Sequence, residues 1–248
     1  MECAALDQFF IQSDTKAHVL ESFEKGFAST FEYKPPAPWG HVNNYPPLLT
    51  AERRKRFRDA MQVQVRAGKM IGGPGWSATC VRSFFGGRQL YGIPSGAVSK
   101  GSDPHGRIVH DYGYYRIGSY SVNAAHANTA VVYMKTKERI RILEHVNWYV
   151  KADLLSGFRQ FGTRPKDWIY QVYCNASREH YIDLACPFGK TNGPMEFCPP
   201  VALFAKSAAV RYAERFGGSP PNIGSYVDDI IGGFPHCPSY RKACHFRV

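Results

Sequence analysis

Apolar side chains recur along this chain at two spacings, and the point where one gives way to the other divides it. Val19, Phe23 and Phe27 stand four apart, which predicts a helix within residues 16–33. A proline-rich stretch, KPPAPWGHVNNYPP, follows as an extended connector. Thr50 then suits the cap of a second helix reaching about Ala67, with Phe57, Met61 and Val65 as its apolar stripe and Gly68 as its stop. From KMIGGPGW onward, short β-rich runs broken by glycine take over. QLYGIPSGAVSK and GRIVHDYGYY read as strands joined by a loop, and DWIYQVYC with REHYIDLAC as a hairpin. NWYVKADL reads as a strand leading into the helical turn LSGFRQ. Two further helices are expected, one over residues 133–145 with Ile140 and Leu143 inward. The other spans 201–216, with Val201, Phe204, Ala208 and Ala209 on one face. NIGSYVDDIIGGF closes the series as a tight hairpin. Helices and strands mixed without strict alternation predict an α+β fold.

At 248 residues with 44% hydrophobic side chains, the chain can bury a core as one large domain or two small ones. It has no run of about 18 uncharged apolar residues, and its N-terminus lacks a basic stretch before an apolar one. Neither a membrane span nor a signal peptide is therefore expected. Seven scattered cysteines, an odd number, read as reduced thiols in an intracellular protein of cytoplasm or nucleus. In that setting the sequon at Cys174–Ser177 is a turn between two strands. Net charge is +11 and unevenly spread: residues 51–110 carry 11 Lys or Arg against 3 Asp or Glu. Five of those cations crowd into RRKRFR at 53–58, a zone that suits a polyanion partner or else a solvated basic face. No GxSxG, Walker or HExxH pattern occurs, which removes the common hydrolase, P-loop and zincin chemistries.

Against this basic background, Asp228 and Asp229 sit side by side between apolar β-formers. Their repulsion is costly unless cations neutralise it. Magnesium suits the task, because it takes hard oxygen ligands and keeps sites for water or phosphate. A two-metal centre needs a further carboxylate from a neighbouring strand, and Asp153, ending WYVKAD, supplies one. A DD pair alone is also a common turn dipeptide.

Taken in order, KADLLSGFRQ, PFGKTNGPMEF and SYVDDIIGG resemble the palm motifs of reverse transcriptases, and GRIVHDYGYY is similar to a fingers strand of the same enzymes. ESFEKGFASTFEY, VRAGKMIGGP and HDYGYY…YSVN look more closely like the N-terminal parts of DIRS-type, tyrosine-recombinase retrotransposon polymerases. The resemblance covers roughly residues 20–235. It implies an α+β right-hand polymerase fold, with fingers and a ferredoxin-like palm carrying an antiparallel sheet, truncated before the thumb. The implied division is an N-terminal helical extension over 1–72, fingers over 73–124 and 161–190, and palm over 125–160 and 191–248.

The same resemblance implies a site. Asp153 and Asp228 would hold two Mg2+ ions for attack of a primer 3′-hydroxyl on a nucleotide α-phosphate. Asp229 would be a weaker ligand and the Leu154 carbonyl a lesser one. Phe158 would stack under the incoming sugar and exclude a 2′-hydroxyl, and Lys100 and Arg107 would grip the triphosphate. Phe188 would pack beside Gly189, which would admit a close approach of template or nucleotide. Implied partners are an RNA/DNA primer–template, deoxynucleoside triphosphates, and downstream thumb, RNase H and recombinase domains, with no membrane. The implied activity is RNA-directed DNA polymerisation; the alternative is an inactive retroelement remnant that only binds nucleic acid or a protein partner.

Three features depart from the family pattern. Only 19 residues follow Asp229, so thumb and primer grip are expected to be missing. Pro199-Pro200 sits where the family begins an uninterrupted helix, so the helix is expected to start later or to kink. Lys190-Thr191-Asn192-Gly193 replaces a leucine- and alanine-bearing turn. Elsewhere, His236, Cys237, Cys244 and His245 lack a standard zinc spacing, and His105 and His110 read as structural histidines.

Overall fold

The structure, a computed structural model, describes residues 13–33, 50–100, 103–115, 119–127, 131, 133–175 and 177–234. The roles expected of the Lys100 and Arg107 side chains, and of the His236–His245 cluster, lie outside the described residues. In chain order, α1 (Ser13–Lys25) is followed by α2 (Ala51–Arg66). Thr50 caps α2 as the sequence predicts, its Oγ1 accepting from the Arg53 amide at 3.2 Å. Next come β1 (Met70–Gly72), α3 (Ala78–Phe84), β2 (Gly92–Ile93), the hairpin of β3 (Ser95–Lys100) and β4 (Asp103–His110), and the single turn α4 (Val122–Ala125). Then follow α5 (Thr136–Leu143) and β5 (Trp148–Asp153), two 3-10 turns (Gly157–Gln160 and Pro165–Tyr170), and β6 (Val172–Cys174) with β7 (His180–Asp183). The long helix α6 (Gly193–Phe216) leads into β8 (Asn222–Tyr226) and β9 (Asp229–Phe234). The fold is mixed α/β with several separate sheets.

The chain visits two compact units alternately. Glu21–Thr129 and Phe158–Gly193 form one, and Met1–Leu20, Ala130–Gly157 and Pro194–Val248 form the other. In the first, four strands pair in the order β1-β7-β6-β2, with β2–β6 parallel and the other pairs antiparallel. Phe57 and Met61 of α2 bury their stripe among Met70, Tyr91, Ile93, Tyr112, Tyr173 and Tyr181. The sequon is a turn: Asn175 Oδ1 accepts from the Ser177 and Glu179 amides, both at 2.9 Å. Beneath the sheet, Arg159 pairs with Asp183, whose Oδ2 also accepts from the Tyr173 hydroxyl at 3.3 Å.

The second unit is built on an antiparallel sheet in the order β5-β9-β8. Here α6 differs from expectation in two ways. It starts at Gly193 rather than near residue 201 and runs through Pro199 and Pro200. Prolines at those positions deprive the Met195 and Glu196 carbonyls of their helical donors. Burial of Phe197 and Val201 on either side of the prolines holds the helix through the gap. Its inward row is Phe197, Val201, Ala205 and Ala209, with Leu203 beside Val19, whereas Phe204 is exposed. The phase of α5 also differs: Ile140 and Leu143 are exposed, and Ile142 lies over Gly224 of β8. The one-residue shift keeps helical spacing but turns another row to the hairpin, so Arg139 stacks 4.1 Å from the Tyr226 ring centroid.

Candidate active site

The β8–β9 connection is a two-residue turn, Val227-Asp228, closing on the registered pair Tyr226–Asp229. Val227 takes φ 56, in the left-handed region that a β-branched residue rarely enters. β9 then pairs with β5 so that Asp153 stands opposite Asp229. The ladder continues one step through the Leu154 amide, which donates to the Asp228 carbonyl at 3.0 Å. Narrow and wide pairs alternate in an antiparallel ladder, so Asp153 and Asp229 form the closer, non-hydrogen-bonded kind, with Cα atoms roughly 4.5 Å apart.

Opposite residues share a face, and neighbours along a strand do not. Asp153 and Asp229 therefore point one way, together with Lys151, two residues before Asp153. Lys151 Nζ lies 3.0 Å from Asp229 Oδ1 and gives that carboxylate a counter-charge. Asp228 belongs to the turn itself. A methyl group at Gly157 would sit 3.3 Å from Asp228 Cβ and 2.7 Å from Phe197 Cζ, so only glycine fits there. The Cys198 thiol is beside the same tip. Burial pushes it up, as does the Asp228 charge, while its hydrogen bond with the Val227 backbone opposes them.

The structure thus brings all three aspartates to one end of one sheet. The register partners Asp153 with Asp229, and Asp228 occupies the adjoining bend. Among the described residues, no group of three or more His, Cys, Asp or Glu side chains is placed to hold a metal ion. Carboxylates are the donor type that a hard divalent cation takes, and the ammonium of Lys151 stands as a cation against one of them. The Leu154 carbonyl accepts from the Gly157 amide at 3.0 Å, which leaves it one lone pair.

The other expected residues belong to the first unit. Phe158 is buried, its ring 5.2 Å from that of Phe188 and tilted by 56°. Gly189 has φ 92, and a Cβ there would meet the His110 carbonyl at 3.0 Å. Its carbonyl accepts from Asn123 Nδ2 at 2.8 Å, and Asn123 Oδ1 takes the Thr191 amide at 2.9 Å. The close approach that requires this glycine is thus made by the chain itself. The unusual KTNG turn is explained by its partners: Lys190 Nζ donates to Ser29 Oγ at 2.6 Å, and Asn192 Nδ2 to the Ala28 carbonyl at 2.7 Å. Lys100 and Arg107 occupy one hairpin, paired in the ladder with Asp103 and Val98.

Sequence reasoning missed Lys151, Gly157 and Cys198. The period-2 spacing of Lys151 and Asp153 could have revealed the first. Gly157 lay inside a recognised motif without a stated reason, and nothing in the sequence marks Cys198.

Comparison with solved structures shows a likeness of fold. The chain is similar to the native protease–reverse transcriptase of prototype foamy virus, with a TM-score of 0.54 and 17% identity. The match covers 97% of this chain and 29% of that one. No family model matches the chain. No curated protein matches it either. Among the described residues, no helix is long and apolar enough to cross a membrane.

Proposed function

We propose that this chain is the nucleotidyl-transferring portion of a reverse transcriptase, an RNA-directed DNA polymerase that adds deoxynucleotides to a primer. The observation that carries the reading is the registered Asp153–Asp229 pair with Asp228 at the adjoining bend, within a fold similar to that of a reverse-transcriptase protein. Asp153, Asp228 and Asp229 would hold Mg2+, with the remaining lone pair of the Leu154 carbonyl as a further donor. Two such ions would supply Lewis-acid neutralisation of phosphate charge. Lys151 orients Asp229 through their ion pair. Phe158, held by Phe188, selects deoxyribose by bulk, and Lys100 and Arg107 bind the triphosphate, Arg107 through its forked guanidinium. Gly189 keeps the PFGK turn against His110.

In this reading the two interleaved units correspond to fingers and palm, and kinship with DIRS-type retrotransposons rests on the N-terminal motifs. The primer–template, deoxynucleotides, and thumb, RNase H and recombinase domains are the partners it calls for. The test is Mg2+-dependent primer extension on an RNA template, by this chain and by a longer polypeptide that carries a thumb. Extension by the parent, lost in Asp153→Asn, Asp228→Asn and Asp229→Asn, supports the proposal. No extension by the thumb-bearing polypeptide, with duplex binding retained, favours the binding-only remnant.

A further inference from the structure

The first two turns of α2 carry charge where a helix tolerates it least. Arg53, Arg54, Lys55 and Arg56 lie at the positive end of the helix dipole, and Arg54 and Arg58 repel each other as an i,i+4 pair. Six basic and two acidic side chains lie along this helix. One acid, Glu52, is engaged by Arg56. The anchoring side of α2 is settled by Phe57 and Met61, both buried in the core. Lys55, Arg58 and Arg66 are exposed; helical spacing turns Lys55 and Arg66, with Asp59, away from the buried side and sets Arg58 on its flank. Arg58 reaches the β6–β7 turn, 3.9 Å from Glu179 Oε2, and the exposed Arg178 of that turn extends the basic surface.

We propose that this face binds the phosphate backbone of a nucleic-acid duplex, without reading bases. An anionic strand relieves both the dipole conflict and the mutual repulsion, and arginine forks match phosphate oxygens. A lipid surface fits less well, because the apolar stripe of α2 is spent on the core. Val63 is the large apolar side chain exposed on the helix, too little for bilayer insertion or a protein hot spot. The proposal does not depend on polymerase activity.

The test is a titration of a labelled RNA–DNA hybrid with the full chain at increasing KCl. Replacing Lys55, Arg58 and Arg66 together by glutamine should weaken binding and make the log–log salt slope shallower by about 3, near 0.9 per lost phosphate contact. Lys206→Gln, which removes an exposed cation of α6 instead, should keep the slope of the parent. If the triple variant fails to fold, Lys55→Gln alone should lower the slope by about 0.9. An unchanged slope in folded variants overturns the proposal, whether or not the parent extends primers. So does charge-dependent binding to phosphatidylserine vesicles with no binding of duplex.

Discussion

Asp153 and Asp229 face each other across an antiparallel ladder, two acids on one face at the point where β5 ends and the β8–β9 hairpin bends. Like charges directly opposite each other cost a sheet a few tenths to about 1 kcal/mol. Asp153→Asn removes that repulsion and leaves the Lys151–Asp229 pair intact. The variant should melt slightly above the parent in EDTA. Millimolar Mg2+ should raise the Tm of the parent and much less that of the variant, because ligand binding stabilises only a chain that holds it. A parent Tm indifferent to Mg2+ would count against the metal assignment independently of any activity assay.

Gly157 sets the distance between the strand end and α6. A methyl there would stand 2.7 Å from Phe197 Cζ, and Phe197 is fully buried, so the ring has nowhere cheap to go. Gly157→Ala should cost about 1–3 kcal/mol by urea unfolding, as overpacking does. Adding Phe197→Leu should restore part of it. A neutral single variant would mean that the tip of β9 is less closely packed than described.

The Arg159–Asp183 pair is buried on both sides. Burial pushes the Asp183 carboxyl up, and the Arg159 guanidinium pulls it back toward ionisation. Arg159→Met leaves that acid uncompensated and should cost about 3–5 kcal/mol. The double variant Arg159→Met/Asp183→Asn should be more stable than the single one, since an amide is cheaper to bury than an unpaired carboxylate. A double-mutant cycle on unfolding free energies measures the difference.

Two buried histidines predict acid sensitivity. His110 stacks on Tyr173 and meets Ser95 Oγ at 2.7 Å; burial, with the Arg159 charge adding, takes its pKa from 6.5 down to about 3. Burial, then the Lys190 charge, takes His126 down to about 4 against its bond with Thr30. The unfolded chain binds these protons first. Stability from both groups is therefore full above pH 6.5 and lost as pH falls through that value toward 4 and then 3. At about 1.4 kcal/mol per unit, the loss by pH near 4 is several kcal/mol. His110→Phe should flatten the acid limb of a Tm–pH curve, even though it gives up the bond to Ser95.

What the sequence settled was local. Thr50 opens α2 because a hydroxyl at that position satisfies a helix amide, and the run SYVDDIIGG becomes a hairpin because alternation and turn chemistry agree. Asn175 makes a turn for a similarly local reason. Phase and partnership were decided elsewhere. Spacing alone could not say whether Ile140 or Ile142 faces the hairpin, because both rows are equally periodic; Gly224 provides the gap that chooses. Nor could it say that Asp153 would stand opposite Asp229 rather than Asp228. A shift of one residue in strand pairing turns every side chain to the other face, and that register is fixed only when β5 docks along β9. The three carboxylates were visible as residues, but their arrangement belongs to contacts made between segments more than seventy positions apart.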